Sequence, residues 1–320
     1  MAGARFLSLL VLFGSLLAAQ NTPVTHDYKF IGIQYPGAIR TTLEGLNNHG
    51  DIVGTYLDSA NVSHGFVLAN GKMTELDYPG KATYLRGIND SGRIAGYFGD
   101  PYGNGGIVNT SGFTWNRLRG FTLLQYTGNS TDANPNGPFE ILAQGLNDGG
   151  SVVGSVYNGA AFNNHSKIWR RNTVRDFCFS AWTFGGYEHG VVAMGIANSG
   201  FVVGYGVASS QNTDDALVEY PDGTCKKFDT GLNSGFVRLT AISSNGQQLA
   251  GTYWHAAYPG LAASSGFVWH AGQAETISYP NAESTEVNGV NVVGVVVGTA
   301  NVNGSYIGFV AIPTPSPGTR

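Results

Sequence analysis

The chain has 320 residues, of which only 12% are charged, with a formal net charge of −4. It therefore lacks the clustered basic face that nucleic acid requires. Forty-seven glycines alone would suit a disordered chain, but beside 12% aromatic residues they point to many short strands joined by tight turns.

In chain order, Arg5, the apolar run Phe6 to Leu17 and the small residues Ala18 and Ala19 before Gln20 predict a secretory signal peptide over 1–20. The run is short for a membrane span, the alternative being an uncleaved anchor. With no Cys at the cleavage region, a lipoprotein is disfavoured. No later stretch reaches transmembrane length, so the mature chain is expected off the membrane and secreted, periplasmic or cell-surface. Asn21 to Asp27 reads as a short leader, and Tyr28 to Tyr35, closed by Pro36-Gly37, reads as a strand.

From there one phrase recurs six times, beginning at Gly45, Gly87, Gly145, Gly195, Ala241 and Gly289. The first two copies are Gly45-Leu46-Asn47-Asn48-His49-Gly50-Asp51-Ile52-Val53-Gly54 and Gly87-Ile88-Asn89-Asp90-Ser91-Gly92-Arg93-Ile94-Ala95-Gly96. The fifth copy is degraded and one residue longer. Asn at the first turn position with Gly at the fourth is a type I signature, so each phrase predicts two strands around a tight turn. The closing Gly leaves room for a neighbouring strand to approach. A third strand follows, often opened by Gly-Phe, as at Gly65-Phe66, Gly112-Phe113, Gly266-Phe267 and Gly308-Phe309. Units three and four keep only apolar character there, in Ile168-Trp169 and Ala216-Leu217-Val218. Turns such as Asn70-Gly71 and Asp222-Gly223 introduce a fourth strand, expected over Met73 to Tyr78, Phe121 to Tyr126, Val174 to Phe179 and Thr276 to Tyr279.

Four strands in roughly 45 residues is the period of a propeller blade. The sixth unit ends after its third strand, Ile307 to Ala311, while Tyr28 to Tyr35 is a fourth strand in surplus. The expected fold is therefore an all-β, six-bladed β-propeller of four-stranded blades. It is a single domain over 21–312, closed by the N-terminal strand completing the last blade. The Pro-rich tail 313–320 is expected to be disordered. Cys178 and Cys225 suit either one disulfide or two buried thiols, and there is no CxxC or Cys/His cluster for zinc.

The combination of Gly-Ile-Asn-x-x-Gly-x-Ile-Val-Gly phrases, His64-Gly65-Phe66 and Asp77-Tyr78-Pro79-Gly80 resembles the HAF repeat of bacterial extracellular proteins. The resemblance covers nearly the whole mature chain. It implies an extracellular repeat protein without an established activity, and no catalytic residue carries over. The histidine that names the repeat stands at His64 and His165, with Ser111 or Ser265 at that place elsewhere.

Strands alternate in direction, so second-to-third and blade-to-blade connections leave from one face of the ring. Nearly all length variation lies there, at 99–110, 127–140, 180–190 and 254–264, and gathered insertions often mark a binding face. These loops supply Tyr102, Trp182, Tyr187, Trp254 and Tyr258 with Asp100, Asp132, Glu188, His189 and His255. Eight of them form the candidate ligand-binding set: Tyr102, Trp182, Tyr187, Glu188, His189, Trp254, His255 and Tyr258. Aromatic planes with a few polar groups suit a glycan or a peptide of an extracellular protein. The bland alternative is that the aromatics anchor the loops.

No GxSxG, HExxH or phosphate loop occurs, and no cofactor, catalytic residue or metal ligand is assigned. Asp90 and Asp148 stand alone in their turns, too few oxygen ligands for calcium. The reading is a monomeric, secreted binding or adhesion module. The alternative is a hydrolase or lyase of extracellular polysaccharide drawing a carboxylate pair from Asp132, Glu140, Glu188 and Asp215.

Overall fold

A computed structural model describes residues 26–315 apart from 104, 129–138, 158–164, 172, 179–189, 209–212, 235 and 256–262. The described residues form six four-stranded antiparallel sheets. Blade 1 comprises β2 (Arg40–Leu46), β3 (Ile52–Leu57), β4 (Ser63–Ala69) and β5 (Lys72–Glu75). Blade 2 has β6 (Ala82–Ile88), β7 (Ile94–Tyr102), β8 (Gly106–Asn116) and β9 (Gly120–Leu123). Blade 3 has β10 (Glu140–Leu146), β11 (Val152–Tyr157), β12 (His165–Arg170) and β13 (Thr173–Asp176). Blade 4 has β14 (Val191–Ile196), β15 (Val202–Ala208), β16 (Thr213–Glu219) and β17 (Cys225–Lys227). Blade 5 has β18 (Val237–Ile242), β19 (Leu249–Trp254), β20 (Ser264–His270) and β21 (Gln273–Ile277). Blade 6 has β22 (Ser284–Val290), β23 (Val296–Val302) and β24 (Ser305–Pro315), completed by β1 (His26–Ile33).

The chain is thus a six-bladed β-propeller, closed as expected. β1 pairs with β24 from His26↔Pro315 through Phe30↔Ala311 to Ile33↔Gly308. This pairing corrects two boundaries: His26 and Asp27 of the leader, and residues 313–315 of the tail, are strand. Each supplies the hydrogen-bond partner that the other would lack at an open edge.

Repeat residues build the ring. In every blade the second strand's Gly faces a bulge in the first strand, where a Cβ would collide with a backbone carbonyl: Gly54 with Thr42, Gly96 with Tyr84, Gly154 with Leu142, Gly204 with Val192, Gly251 with Arg238 and Gly298 with Glu286. The side chain opposite this Gly fills the space between blades. Phe66, Phe113, Phe267 and Phe309 are fully buried there, each worth about 1.5–3 kcal/mol. In blade 3 that position is Lys167, also fully buried, its Nζ 2.5 Å from Asp176 Oδ1 and 4.7 Å from the Tyr126 ring centroid. The apolar reading of unit three is therefore displaced by one residue.

The outer strands are shorter than the sequence suggests, ending before the aromatic residue. Leu76 N–H still donates to Gly65 O at 2.9 Å, and then the chain turns inward to the next blade. Tyr78 consequently stacks on Phe98 of blade 2, with centroids 3.6 Å apart, instead of extending β5. Cys178 and Cys225 form a disulfide, resolving the two alternatives. It ties the segment after β13 to β17 across 47 residues, and closing such a loop contributes about 4 kcal/mol in the chain-entropy description.

Candidate functional site

Innermost strands line a central channel whose waist is set by the first residue of each phrase: Gly45, Gly87, Gly145, Gly195, Ala241 and Gly289. At Gly45, Gly87, Gly145 and Gly289 an added Cβ would meet the backbone of the next blade at 2.6–3.5 Å, so a small residue is needed where six strands converge. The channel's two ends differ.

At the tight-turn end, turn residues link blade to blade. Asn47 Nδ2 donates to Asn89 O, Asn89 Nδ2 to Asn147 O and Asn147 Nδ2 to Ala197 O, at 3.2, 3.0 and 3.1 Å. A second tier runs through backbone N–H groups: Val292 to Asn48 Oδ1, Asn48 to Asp90 Oδ1, Asp90 to Asp148 Oδ1 and Asp148 to Asn198 Oδ1. The second carboxylate oxygens of Asp90 and Asp148 accept from Asn48 Nδ2 and Asn198 Nδ2. These acids are members of a hydrogen-bonded belt, in keeping with the turn reading.

At the long-loop end the repeat gives way to residues found once. Arg86 of β6 ion-pairs with Glu44 of β2 at 2.5 Å, and its Nε donates to Gln144 Oε1 of β10 at 2.8 Å. Burial opposes the Arg86 charge, but Glu44 together with Tyr97, Tyr205 and Tyr84 outweighs it and holds the guanidinium above its ordinary value. Arg238 of β18 lies between two rings, its Cζ 4.6 Å from the Tyr205 centroid and 4.9 Å from that of Trp254. Asp214 Oδ2 holds it from the side at 2.5–2.6 Å. Glu286 of β22 is solvent-exposed, yet crowding by the walls and then the charge of Glu44 raise its carboxyl above the usual glutamate range. Desolvation likewise raises the phenols of Tyr97, Tyr157 and Tyr205. Arg86 feels Tyr205, and Glu286 feels Glu44, Arg238 and Arg86, so electrostatic coupling links blades 1, 2, 4, 5 and 6 at this end of the channel, the funnel.

Of the eight sequence candidates, Trp182, Tyr187, Glu188, His189 and Tyr258 lie outside the described residues, as does Asp132. The three described ones do not meet. Trp254 joins the funnel, but one ring face is taken by Arg238. His255 is the next residue along an extended chain and so turns the other way; its Nε2 lies 2.9 Å from Ser265 Oγ. Tyr102, 69% exposed, caps a β7–β8 hairpin that replaces the expected loop and reaches blade 1, where Gly105 O accepts from Ser63 Oγ of β4 as well as from Tyr84 Oη of its own blade. Among the loop acids, Asp100 pairs with Lys81 at 2.5 Å, Asp215 pairs with Lys227 at 2.6 Å, and Glu140 accepts from Thr110 Oγ1 at 3.1 Å. Sequence reasoning missed Arg86, Arg238, Glu44 and Glu286. The available signal was charge on the first strand of a blade, one residue ahead of the phrase at Glu44 and Arg86, where Met194 and Thr240 stand in other copies, and three residues ahead at Arg238 and Glu286.

Comparison with protein families and with curated proteins finds no match. Solved structures do resemble the chain. A mutant Aleuria aurantia lectin in complex with α-methyl-L-fucoside is 10% identical over 92% of this chain and 99% of its own, with a TM-score of 0.48. The β-propeller domain of the Trilobed protease from Pyrococcus furiosus is 10% identical over 87% and 96%, with a TM-score of 0.44. A family 117 glycoside hydrolase from Zobellia galactanivorans is 9% identical over 75% and 89%, with a TM-score of 0.40.

Proposed function

We propose that the chain is an exported, HAF-type binding module that takes up a glycan at the long-loop mouth of its channel. The observation that carries this reading is Arg238, stacked between Tyr205 and Trp254 and fixed by Asp214. A guanidinium held in this way offers ordered donors without losing freedom on binding, and the aromatic walls suit the C–H faces of a sugar. Glu286 and the tyrosine hydroxyls of blades 2, 3 and 4 add the mixed donors and acceptors that sugar hydroxyls need. Export is supported by the N-terminal apolar run and by the disulfide, which belongs to an oxidising compartment.

A glycan array probed with the purified chain and with Arg238→Met and Trp254→Ala tests the proposal. Binding weakened more than about ten-fold by both is expected; no binding, or binding indifferent to both, removes the funnel as the site. A second reading rests on Glu286, whose carboxyl is raised by burial and then by the charge of Glu44, itself ion-paired with Arg86. Such a pair suits general acid and base work on a polysaccharide. Product release abolished by Glu286→Gln would favour it; binding without turnover would exclude it.

A further inference from the structure

The outer corner of blade 1, at the long-loop face, carries a charge cluster that the funnel does not use. A ring nitrogen of His64 on β4 and carboxylate oxygens of Glu75 on β5 and of Asp77 just beyond it all lie within 4.8 Å of one another, with His64 Nδ1 2.5 Å from Asp77 Oδ2. Each has a further partner that orients it. His64 Nε2 is 3.4 Å from Asp58 Oδ2, Tyr56 Oη donates to Glu75 Oε2, and Gly65 N–H donates to Asp77 Oδ1 at 2.8 Å. The imidazole also stacks on the Tyr56 ring, with centroids 5.0 Å apart.

The sibling blades serve as an internal control. By strand register, the positions of His64, Glu75 and Asp77 are Ser111, Leu123 and Gln125 in blade 2 and Ser265, Thr276 and Ser278 in blade 5. Blade 5 closes the same corner with neutral hydroxyls, Ser265 and Ser278 lying 3.2 Å apart. Blade 4 has Asp215, Lys227 and Asp229, and neutralises its acid with the Asp215–Lys227 pair. In blade 3 the positions of Glu75 and Asp77 are Asp176 and Cys178, one paired with Lys167 and the other in the disulfide. The fold therefore does not require a His–Glu–Asp set. Blade 1 gathers three carboxylates around one imidazole, and among the described residues no lysine or arginine forms an ion pair with Asp58, Glu75 or Asp77.

We propose that His64, Glu75 and Asp77 bind one divalent transition-metal ion of the zinc type. One nitrogen and two carboxylate oxygens with an open fourth position are a zinc donor set. With Asp58 Oδ2 3.4 Å from Nε2, the imidazole of the metal-bound site would carry its proton on Nε2 towards a carboxylate and leave Nδ1 for the metal. The ion takes the place of the proton between His64 Nδ1 and Asp77 Oδ2, now 2.5 Å apart, and since ligand distances of about 2.0–2.2 Å set donors roughly 3.4 Å apart in a tetrahedron, this pair must open by roughly 1 Å to admit it.

The test is calorimetric titration of the tag-free, chelator-stripped full chain with Zn²⁺, and separately with Ca²⁺. The expected result is one equivalent of Zn²⁺, bound at least ten-fold more weakly by His64→Gln and by Glu75→Gln and unchanged by Glu286→Gln. Glu75 is exposed on an outer strand, so Glu75→Gln decides the matter if His64→Gln fails to fold. Lack of stoichiometric Zn²⁺ binding, insensitivity to Glu75→Gln, or preferential Ca²⁺ binding would each overturn the proposal. None of these outcomes bears on the funnel, which glycan binding tests by itself.

Discussion

The two ends of the channel are built from the same six strands by opposite rules. At the tight-turn end nearly every contact is a copy: an asparagine reaching the next turn's carbonyl, or a turn N–H capped by the next turn's side chain. At the long-loop end almost nothing repeats, and Arg86, Arg238, Glu44 and Glu286 each occupy a place that other blades fill differently. Copied residues hold the ring, and exceptions to the copy supply the chemistry. Lys167 follows the same rule, since it stands where four siblings carry Phe.

The largest expected effect breaks the copied side. Deleting residues 26–33 leaves β24 with an open edge and blade 6 one strand short, and should abolish cooperative unfolding and drive association through that edge; a monomeric chain with an unchanged melting transition would refute closure by β1. Next is Gly204→Ala, whose Cβ would collide with the Val192 carbonyl in fully buried backbone. Relief requires two strands to separate, costing about 3 kcal/mol or more in denaturant unfolding. Smaller again is Asn147→Ala, which leaves Ala197 O and Ser151 N without the asparagine at the belt. It should cost about 1–3 kcal/mol while leaving glycan binding unaltered, so an equal loss of binding would collapse the distinction between the two ends.

The smallest effect sharpens the other side. Because the folded Glu286 carboxyl binds its proton more readily than an unfolded glutamate, its contribution to stability is full at acidic pH. That contribution is lost as pH rises from the ordinary glutamate value through the raised one. Glu286→Gln should flatten this part of the melting temperature against pH profile, and parallel profiles would show that the channel mouth does not perturb the group.

The ring was legible because each determinant is local. The Asn-x-x-Gly turn, the closing Gly and the Gly-Phe pair are short words, and counting strands at the two ends revealed the splice between Tyr28 to Tyr35 and Ile307 to Ala311. The funnel was not legible, because Arg86 and Tyr205 come within electrostatic reach of each other only once blades 2 and 4 stand on one closed ring. Searching the loops recovered Trp254 but also drew in His255, since adjacent residues of an extended chain point to opposite sides. Lys167 was hidden by a one-residue offset beside Ile168-Trp169. The His64–Asp77 contact was within reach, as both belong to the words His-Gly-Phe and Asp-Tyr-Pro-Gly, but nothing in either word showed that Glu75 would join them.

The pairing of His26 with Pro315 has a directional consequence. β24 runs away from the funnel and β1 runs towards it, so both described ends sit beside the blade 6 tight turn, where Pro313 lies against Gly294. The chain therefore enters and leaves the described fold at the back of the disc. A tether at that point would present the mouth outward, away from its anchor.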